Sequence, residues 1–336
     1  MKKFFKNKNK EPVCEQPPTL GSFPDFTKKE IFTQGALLDS FMNRYIRADK
    51  LNFDYLKIKI DKIKRIYIIG SNTDYACALY GAYNFEVLLD VVTVAICNGE
   101  FLCSNPVLDK HTLAVILGDD ENVKKRCRES RAVTVCISDY GEGKGVISLD
   151  CKTLGDFASA SHSLKMLALA MLALYLGEKN QIITRLYVKI ATQMMKGLPD
   201  KIKNVLSKEF IINEFAESIN FEKLFITGIN VDFACAVYAA AVFSQLTDIC
   251  AVPVPYSQLY GNIGINCGVL GLASNIDFCT TLNADSHMFK IMACAGVELI
   301  DDKTVIYDES IPLLNPILSG VIIQLIAYHK YLSNSE

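Results

Sequence analysis

Two short turns hold the residues of this 336-residue chain best placed to do chemistry. Gly70-Ser71-Asn72-Thr73-Asp74 and Gly228-Ile229-Asn230-Val231-Asp232 each follow an aliphatic run and precede a helical pattern. Glycine permits the tight turn, and backbone N–H groups with a hydroxyl at a helix N-terminus can cradle an anion. Helix capping explains Thr73 and Asp74 about as well. A third turn, Gly118-Asp119-Asp120-Glu121-Asn122, gathers three carboxylates, which suit an amine and could include a base of raised pKa. Pointing into solvent or capping the helix that follows would account for them equally. Ala158-Ser159, followed by Ser161, adds hydroxyls ahead of a long aliphatic stretch. No metal or cofactor is expected: the 12 cysteines include no Cys-x-x-Cys, and His111, His162, His287 and His329 lack ligand spacing.

The turns belong to a repeat. Residues 65–85 (RIYIIGSNTDYACALYGAYNF) and 223–243 (KLFITGINVDFACAVYAAAVF) share Gly-x-Asn-x-Asp-aromatic-Ala-Cys-Ala-x-Tyr. The offset between copies is too long for a solenoid and suits duplication of one compact domain. An amphipathic helix is expected over 29–49, then strands at Ile66–Ile69, Val91–Ile96, Leu113–Leu117 and Val133–Ile137. Helices are expected at 75–89, 124–131 and 163–176. The second half repeats the plan with strands at 224–227, 269–273, 288–292 and 304–307, and helices at 233–246 and 317–331. Alternating strands and helices predict α/β architecture: two tandem three-layer α/β/α domains with flavodoxin-like parallel sheets, related by a pseudo-twofold axis. The expected organisation is a flexible tail (1–27), a leading helix (28–51), a first domain (52–180), a connector (181–204) and a second domain with a C-terminal helix (205–336). The stretch 197–208 reads as polar linker.

Composition narrows the function classes. A formal charge of -2 gives no reason to expect nucleic acid. The basic run Lys2–Lys10 leads into Glu11 and Pro12 rather than the apolar core of a secretion signal. Met166–Leu176 is shorter than the roughly 20 apolar residues that span a bilayer, so no membrane partner is expected. Cys77, Cys136, Cys235 and Cys294 sit among apolar residues, as reduced thiols of a cytoplasmic protein do.

Ile66–Tyr75 (IYIIGSNTDY) resembles the first sugar-isomerase (SIS) domain of glucosamine-6-phosphate synthase, where strand-Gly-x-Gly-Thr-Ser-Tyr stands. Other matches keep the family's order: Glu30-Ile31 with Gln34 in its first helix, Gly99-Glu100-Phe101 with Asn105, Ala158-Ser159 with Ser161, Leu169–Glu178, and Gln324–His329 in its last helix. The resemblance covers about residues 28–331 and implies a carbohydrate-derivative ligand, a sugar or sugar phosphate, and a homodimer. It also implies that the family's glutaminase domain is lacking.

The resemblance implies phosphosugar binding through hydroxyls of the first two turns. Here Asn72 replaces a glycine, Asp74 a serine, and Asp119, Asp120 and Glu121 stand in the second turn. Each carboxylate facing a phosphate would cost on the order of 1 kcal/mol at ~4 Å in water, and about 4 at an effective dielectric near 20. The family's catalytic glutamate falls on Gln245, its helix lysine on Val242 and its ring-opening histidine on Gly261. An amide cannot act as a general base and glycine cannot deliver a proton. The family's terminal lysine tail is also expected to be missing after Leu332. The first reading is therefore a SIS-type binder that has lost aldose/ketose chemistry. Two others stay open: an active isomerase, deaminase or deglycase with a relocated base, and an architectural partner of an active homologue. In the first two, the ligand residues are Gly70, Ser71, Asn72, Thr73, Asp74, Gly118, Asp119, Asp120, Asn122, Ala158 and Ser159.

Overall fold

The structure is a computed structural model describing residues 19–141, 143–155, 158–261, 267–274, 276–283, 288–294 and 303–335. Expectations resting on residues 1–18 and on His287 lie outside the described residues. Helix α1 (Phe26–Tyr45) starts where Asp25 accepts a hydrogen bond from Lys28 N at 2.7 Å, and it buries Ile31, Leu38 and Phe41 along one face.

Two five-stranded sheets follow. The first comprises β1 (Arg65–Ile69), β2 (Thr93–Ile96), β3 (Thr112–Leu117), β4 (Val133–Ser138) and β5 (Val146–Ser148), in spatial order β2-β1-β3-β4-β5. The second comprises β6 (Lys223–Gly228), β7 (Cys250–Pro255), β8 (Gly268–Ala273), β9 (Phe289–Cys294) and β10 (Thr304–Asp308), in order β7-β6-β8-β9-β10. Every pair is parallel, and both halves have the 2-1-3-4-5 order of a flavodoxin-like fold. The fold class and the duplication read from the sequence are thus present.

Helices α2 (Thr73–Leu89) and α9 (Val231–Leu246), the two copies of the repeat's helix, pack on each other. Helix α5 (Ser159–Lys179) lies on α1 and α2, while α11 (Asn315–Ser335) lies on α9 and α8 (Glu209–Ser218). One core cluster therefore runs from Ile31 to Tyr328 through both halves. The outer face of the first sheet is covered by α3 (Asn98–Cys103) and α4 (Glu121–Glu129), through Phe101, Val123 and Cys127. The outer face of the second receives α10 (Ile276–Asn283) through Phe278, Cys279 and Leu282. Two α/β/α sandwiches thus share their middle helical layer.

That layer accounts for several differences from the sequence reading. Ala234, Tyr238 and Phe243 of α9 and Ile317 to Leu325 of α11 are buried within the chain and so offer no apolar surface to a second subunit. Helix α5 has the length and composition to cross a membrane, yet Ser159 to Gly177 are all buried inside the protein, so it is a core helix. The connector (181–204) and the stretch read as polar linker (197–208) are largely helical: α6 (Arg185–Lys196) and α7 (Leu198–Ser207) bury Val188, Ala191, Met195, Ile202 and Val205. A buried polar chain ties the halves together. Gln34 Nε2 donates to Gln324 Oε1 at 2.8 Å, Ser163 Oγ donates to Gln34 Oε1 at 2.7 Å, and Gln324 Nε2 donates to Tyr238 Oη at 3.0 Å.

Candidate ligand site

Both repeat turns are built alike. A Cβ on Gly70 would come within 2.8 Å of the Asp74 carbonyl oxygen, and one on Gly228 within 2.6 Å of the Asp232 carbonyl carbon. Asn72 (φ 55°) and Asn230 (φ 53°) then occupy the left-handed φ range immediately before α2 and α9. This geometry puts Asp74 and Asp232 in the first helical turns, at the carboxyl ends of the sheets where ligands of such folds bind.

In the first half, Asp74 Oδ1 accepts from Lys165 Nζ of α5 at 2.8 Å. Burial alone would lower the Lys165 pKa, but Asp74 and Asp139 outweigh it and hold the ammonium charged. Asp74, Ser71, Asn98 and the Gly118–Asn122 turn line an open crevice of 500 Å³. The turn's acids are already engaged. Asp120 caps α4, accepting from Asn122 N at 2.9 Å and Val123 N at 3.1 Å, and its other oxygen accepts from Asn98 Nδ2 at 3.0 Å. Asp119 pairs with Lys124, and Glu121 pairs with Lys124 at 3.1 Å and Arg128 at 3.4 Å. Capping and ion pairing, rather than a bare acidic wall, is what this turn builds.

The hydroxyls are placed differently from the sequence reading. Thr73 begins α2 and does not line the crevice, whereas Ser71 does, its Oγ accepting from Asn98 N at 3.2 Å. Ser159 is fully buried. Its Oγ donates to Glu30 Oε1 at 3.1 Å, and Glu30 also accepts from the N–H groups of Ala160 (3.0 Å), Leu154 (2.9 Å) and Gly155 (3.1 Å). A carboxylate from α1 thus fills the anion position at the α5 N-terminus, which Ala158 precedes. Gln245, exposed near the end of α9, and Gly261, closing a 3₁₀ turn, do not line the crevice, and Val242 is buried. The sequence signals for Glu30, Lys165 and Asn98 were slight, because each acts through a contact distant along the chain.

One arrangement mimics a catalytic dyad. Cys77 Sγ lies 3.1 Å from His162 Nδ1, and the His162 ring stacks on Tyr238 with centroids 3.5 Å apart. Burial pushes the Cys77 thiol well up and drives His162 down to about 3, with nearby Lys165 adding to the latter. Both groups are therefore neutral, the opposite of an activated thiolate–imidazolium pair.

No family model matches the sequence. The chain is 23% identical over 342 residues to glutamine–fructose-6-phosphate aminotransferase [isomerizing] of Clostridium acetobutylicum, covering 92% of this chain and 56% of that protein. It is 24% identical over 338 residues to the protein of the same name from Thermus thermophilus, covering 92% and 56%. The chain thus spans a little over half the length of the curated relatives it matches. Among solved structures, the C-terminal domain of glucosamine-fructose-6-phosphate aminotransferase from Francisella tularensis superposes with a TM-score of 0.85 at 14% identity, covering 95% of this chain and 99% of that one. Glucosamine-6-phosphate deaminase from Thermotoga maritima superposes with a TM-score of 0.66 at 15% identity, covering 92% and 95%. These likenesses give the fold of the two-domain sugar isomerases, and the sequence match adds homology to the isomerase part of the aminotransferase.

Proposed function

We propose that this chain is a SIS-type protein that binds a carbohydrate derivative and has lost the aldose/ketose isomerase reaction. One observation carries the reading: the acidic groups around the first-sheet crevice are already engaged. Asp74 is tied to Lys165, Asp120 caps α4, and Ser159 is held by Glu30. A general base must reach the substrate's proton with a lone pair to spare. The family's base position holds Gln245, an amide, and its lysine position holds buried Val242. The relocated-base alternative rests on Asp74, whose carboxylate borders the crevice but has Oδ1 on an ammonium.

The crevice between Ser71, Asn98 and Asn122 is open enough for a sugar ring, with hydroxyl and amide groups at its rim. Buried free thiols such as Cys77, Cys127 and Cys235 suit a reducing, cytoplasmic compartment. A homodimer, as the resemblance implies, belongs to the same reading and is checked by light scattering at micromolar concentration. The functional test is a pair of assays on the purified chain. Fructose 6-phosphate should not be converted to glucose 6-phosphate, nor glucosamine 6-phosphate deaminated, above the protein-free rate. A bound sugar derivative at a hundredfold its dissociation constant should stabilise the fold by about 2.7 kcal/mol in a thermal-shift screen. Turnover at ordinary enzyme rates would refute the proposal.

A further inference from the structure

The second half carries a larger cavity than the first-sheet crevice. It measures 920 Å³ and lies at the carboxyl end of the second sheet, between the turn Ile229–Asp232, Ser274, α10 and the last two turns of α2. Asp232 is 3% exposed and borders this cavity. Its Oδ2 accepts from Ser274 N at 2.9 Å, whereas Oδ1 is buried with no hydrogen-bond partner among the described residues. A buried carboxylate oxygen without a donor is costly, and native proteins keep few of them without a reason. Its counterpart in the repeat, Asp74, is neutralised by Lys165 from α5. The second half's equivalent helix, α11, carries no lysine or arginine before Lys330, so the second aspartate has no such partner there. Two more oxygens without a partner among the described residues are Thr227 Oγ1, near the end of β6, and Ser310 Oγ, just after β10. Ser310 N is linked through Asn315 to the Ser274 carbonyl.

From this geometry we infer that the cavity is a second ligand site, which takes an unphosphorylated, donor-rich sugar-like molecule, an amino sugar above all, with Asp232 Oδ1 as acceptor. The lining fits that class. Among the described residues it holds two carboxylates, Asp232 and Glu86, and no lysine or arginine, so a phosphate meets only like charge there. Tyr83, Tyr187 and Phe278 supply the flat apolar faces, and Ser274 and Thr281 the hydroxyls. The repeat explains the location. Gly70 and Gly228 are 158 residues apart, and at that offset Gln245, the position where the family's base falls, corresponds to Val87 at the mouth of this cavity. The site is the pseudo-symmetric twin of the parent one.

The experiment titrates the full chain with glucosamine, glucose and glucosamine 6-phosphate, reading binding by ligand-observed NMR. Three variants separate the sites. Val87→Trp blocks the mouth at a position 79% exposed, where the fold tolerates it. Asp232→Asn puts an N–H donor where Oδ1 accepts. Asn122→Trp fills the first-sheet crevice instead. Glucosamine should bind best, and Val87→Trp and Asp232→Asn should each weaken it by on the order of tenfold, the weight of one charge-assisted hydrogen bond. Asn122→Trp should leave it within about twofold, a difference too small to represent a lost contact. Binding lost only in Asn122→Trp, equal or better binding of the phosphorylated sugar, or no binding of either unphosphorylated sugar would each overturn the inference. Isomerase turnover that Val87→Trp leaves unchanged would refute the proposed function without touching this site.

Discussion

Asp232 and His162 are buried titratable residues whose protonation equilibria shift in opposite ways. Burial raises the Asp232 pKa from 3.8 to about 6. The folded state therefore prefers the protonated acid, and as pH rises from about 4 to 6 the fold loses on the order of 3 kcal/mol of relative stability. Burial lowers the His162 pKa from 6.5 to about 3. Its contribution is complete above pH 6.5 and is lost as pH falls toward 3, a span worth on the order of 5 kcal/mol. Asp232→Asn should therefore be more stable than the parent chain at pH 8 and lose that advantage by pH 4, as measured by urea unfolding at each pH. Equal stability at pH 8 would mean that the carboxylate is not paying a desolvation penalty. His162→Phe should flatten the acid side of the profile. At this scale the sequence revealed Asp74 and Asp232 as a pair, because they share one place in the repeat. It did not reveal that Asp74 finds a cation 91 residues away while Asp232 does not. Nor did it reveal that Glu30, noted only as part of a motif, holds four donors around the start of α5. Glu30→Ala leaves those donors unmatched and should cost at least ~3 kcal/mol in the same measurement.

The strand–turn–helix units at Gly70 and Gly228 are the elements the sequence described best, since a glycine after an aliphatic strand restricts the geometry strongly. Gly70→Ala and Gly228→Ala drive a Cβ into the backbone of Asp74 or Asp232, and each should destabilise by about 2 kcal/mol or more. Gly99→Ala in α3 is the control: its Cβ meets nothing within 4 Å, so it should stabilise by up to ~1 kcal/mol. Differential scanning calorimetry of the three variants checks the contrast, and a neutral Gly228→Ala would contradict the turn geometry. Other elements escaped the sequence reading for identifiable reasons. Pro253 and Pro255 disguise β7, which tolerates them as an edge strand. Val188, Ala191, Thr192 and Met195 mark α6 at helical spacing, but their polar neighbours made the span read as a linker. Helix α5 begins at Ser159 rather than Ser163 because the Ser159 hydroxyl and the Ala160 N–H end on Glu30, a partner no local pattern announces.

The molecule as a whole is two sheets around one helical layer, with Gln34, Gln324 and Tyr238 bridging the halves. Neither half buries its inner face alone, so both should unfold in a single transition. Far-UV circular dichroism and tyrosine fluorescence should give coincident urea curves, whereas two separated transitions would show that the halves fold independently. The duplication was legible from 21 aligned residues, and the parallel sheets from the alternation of strands and helices, while the sharing of the middle layer could not be read from periodicity. The same arrangement sets the functional account, in which the parent site keeps its crevice and loses its base. The most direct test is solvent exchange at the sugar carbon. The chain would be incubated with fructose 6-phosphate in D₂O, and deuterium at carbon one and carbon two of the sugar phosphates read by mass spectrometry. The account predicts incorporation no faster than in protein-free buffer. Incorporation at enzymatic rates would show that a base still removes the carbon-bound proton, and would contradict it.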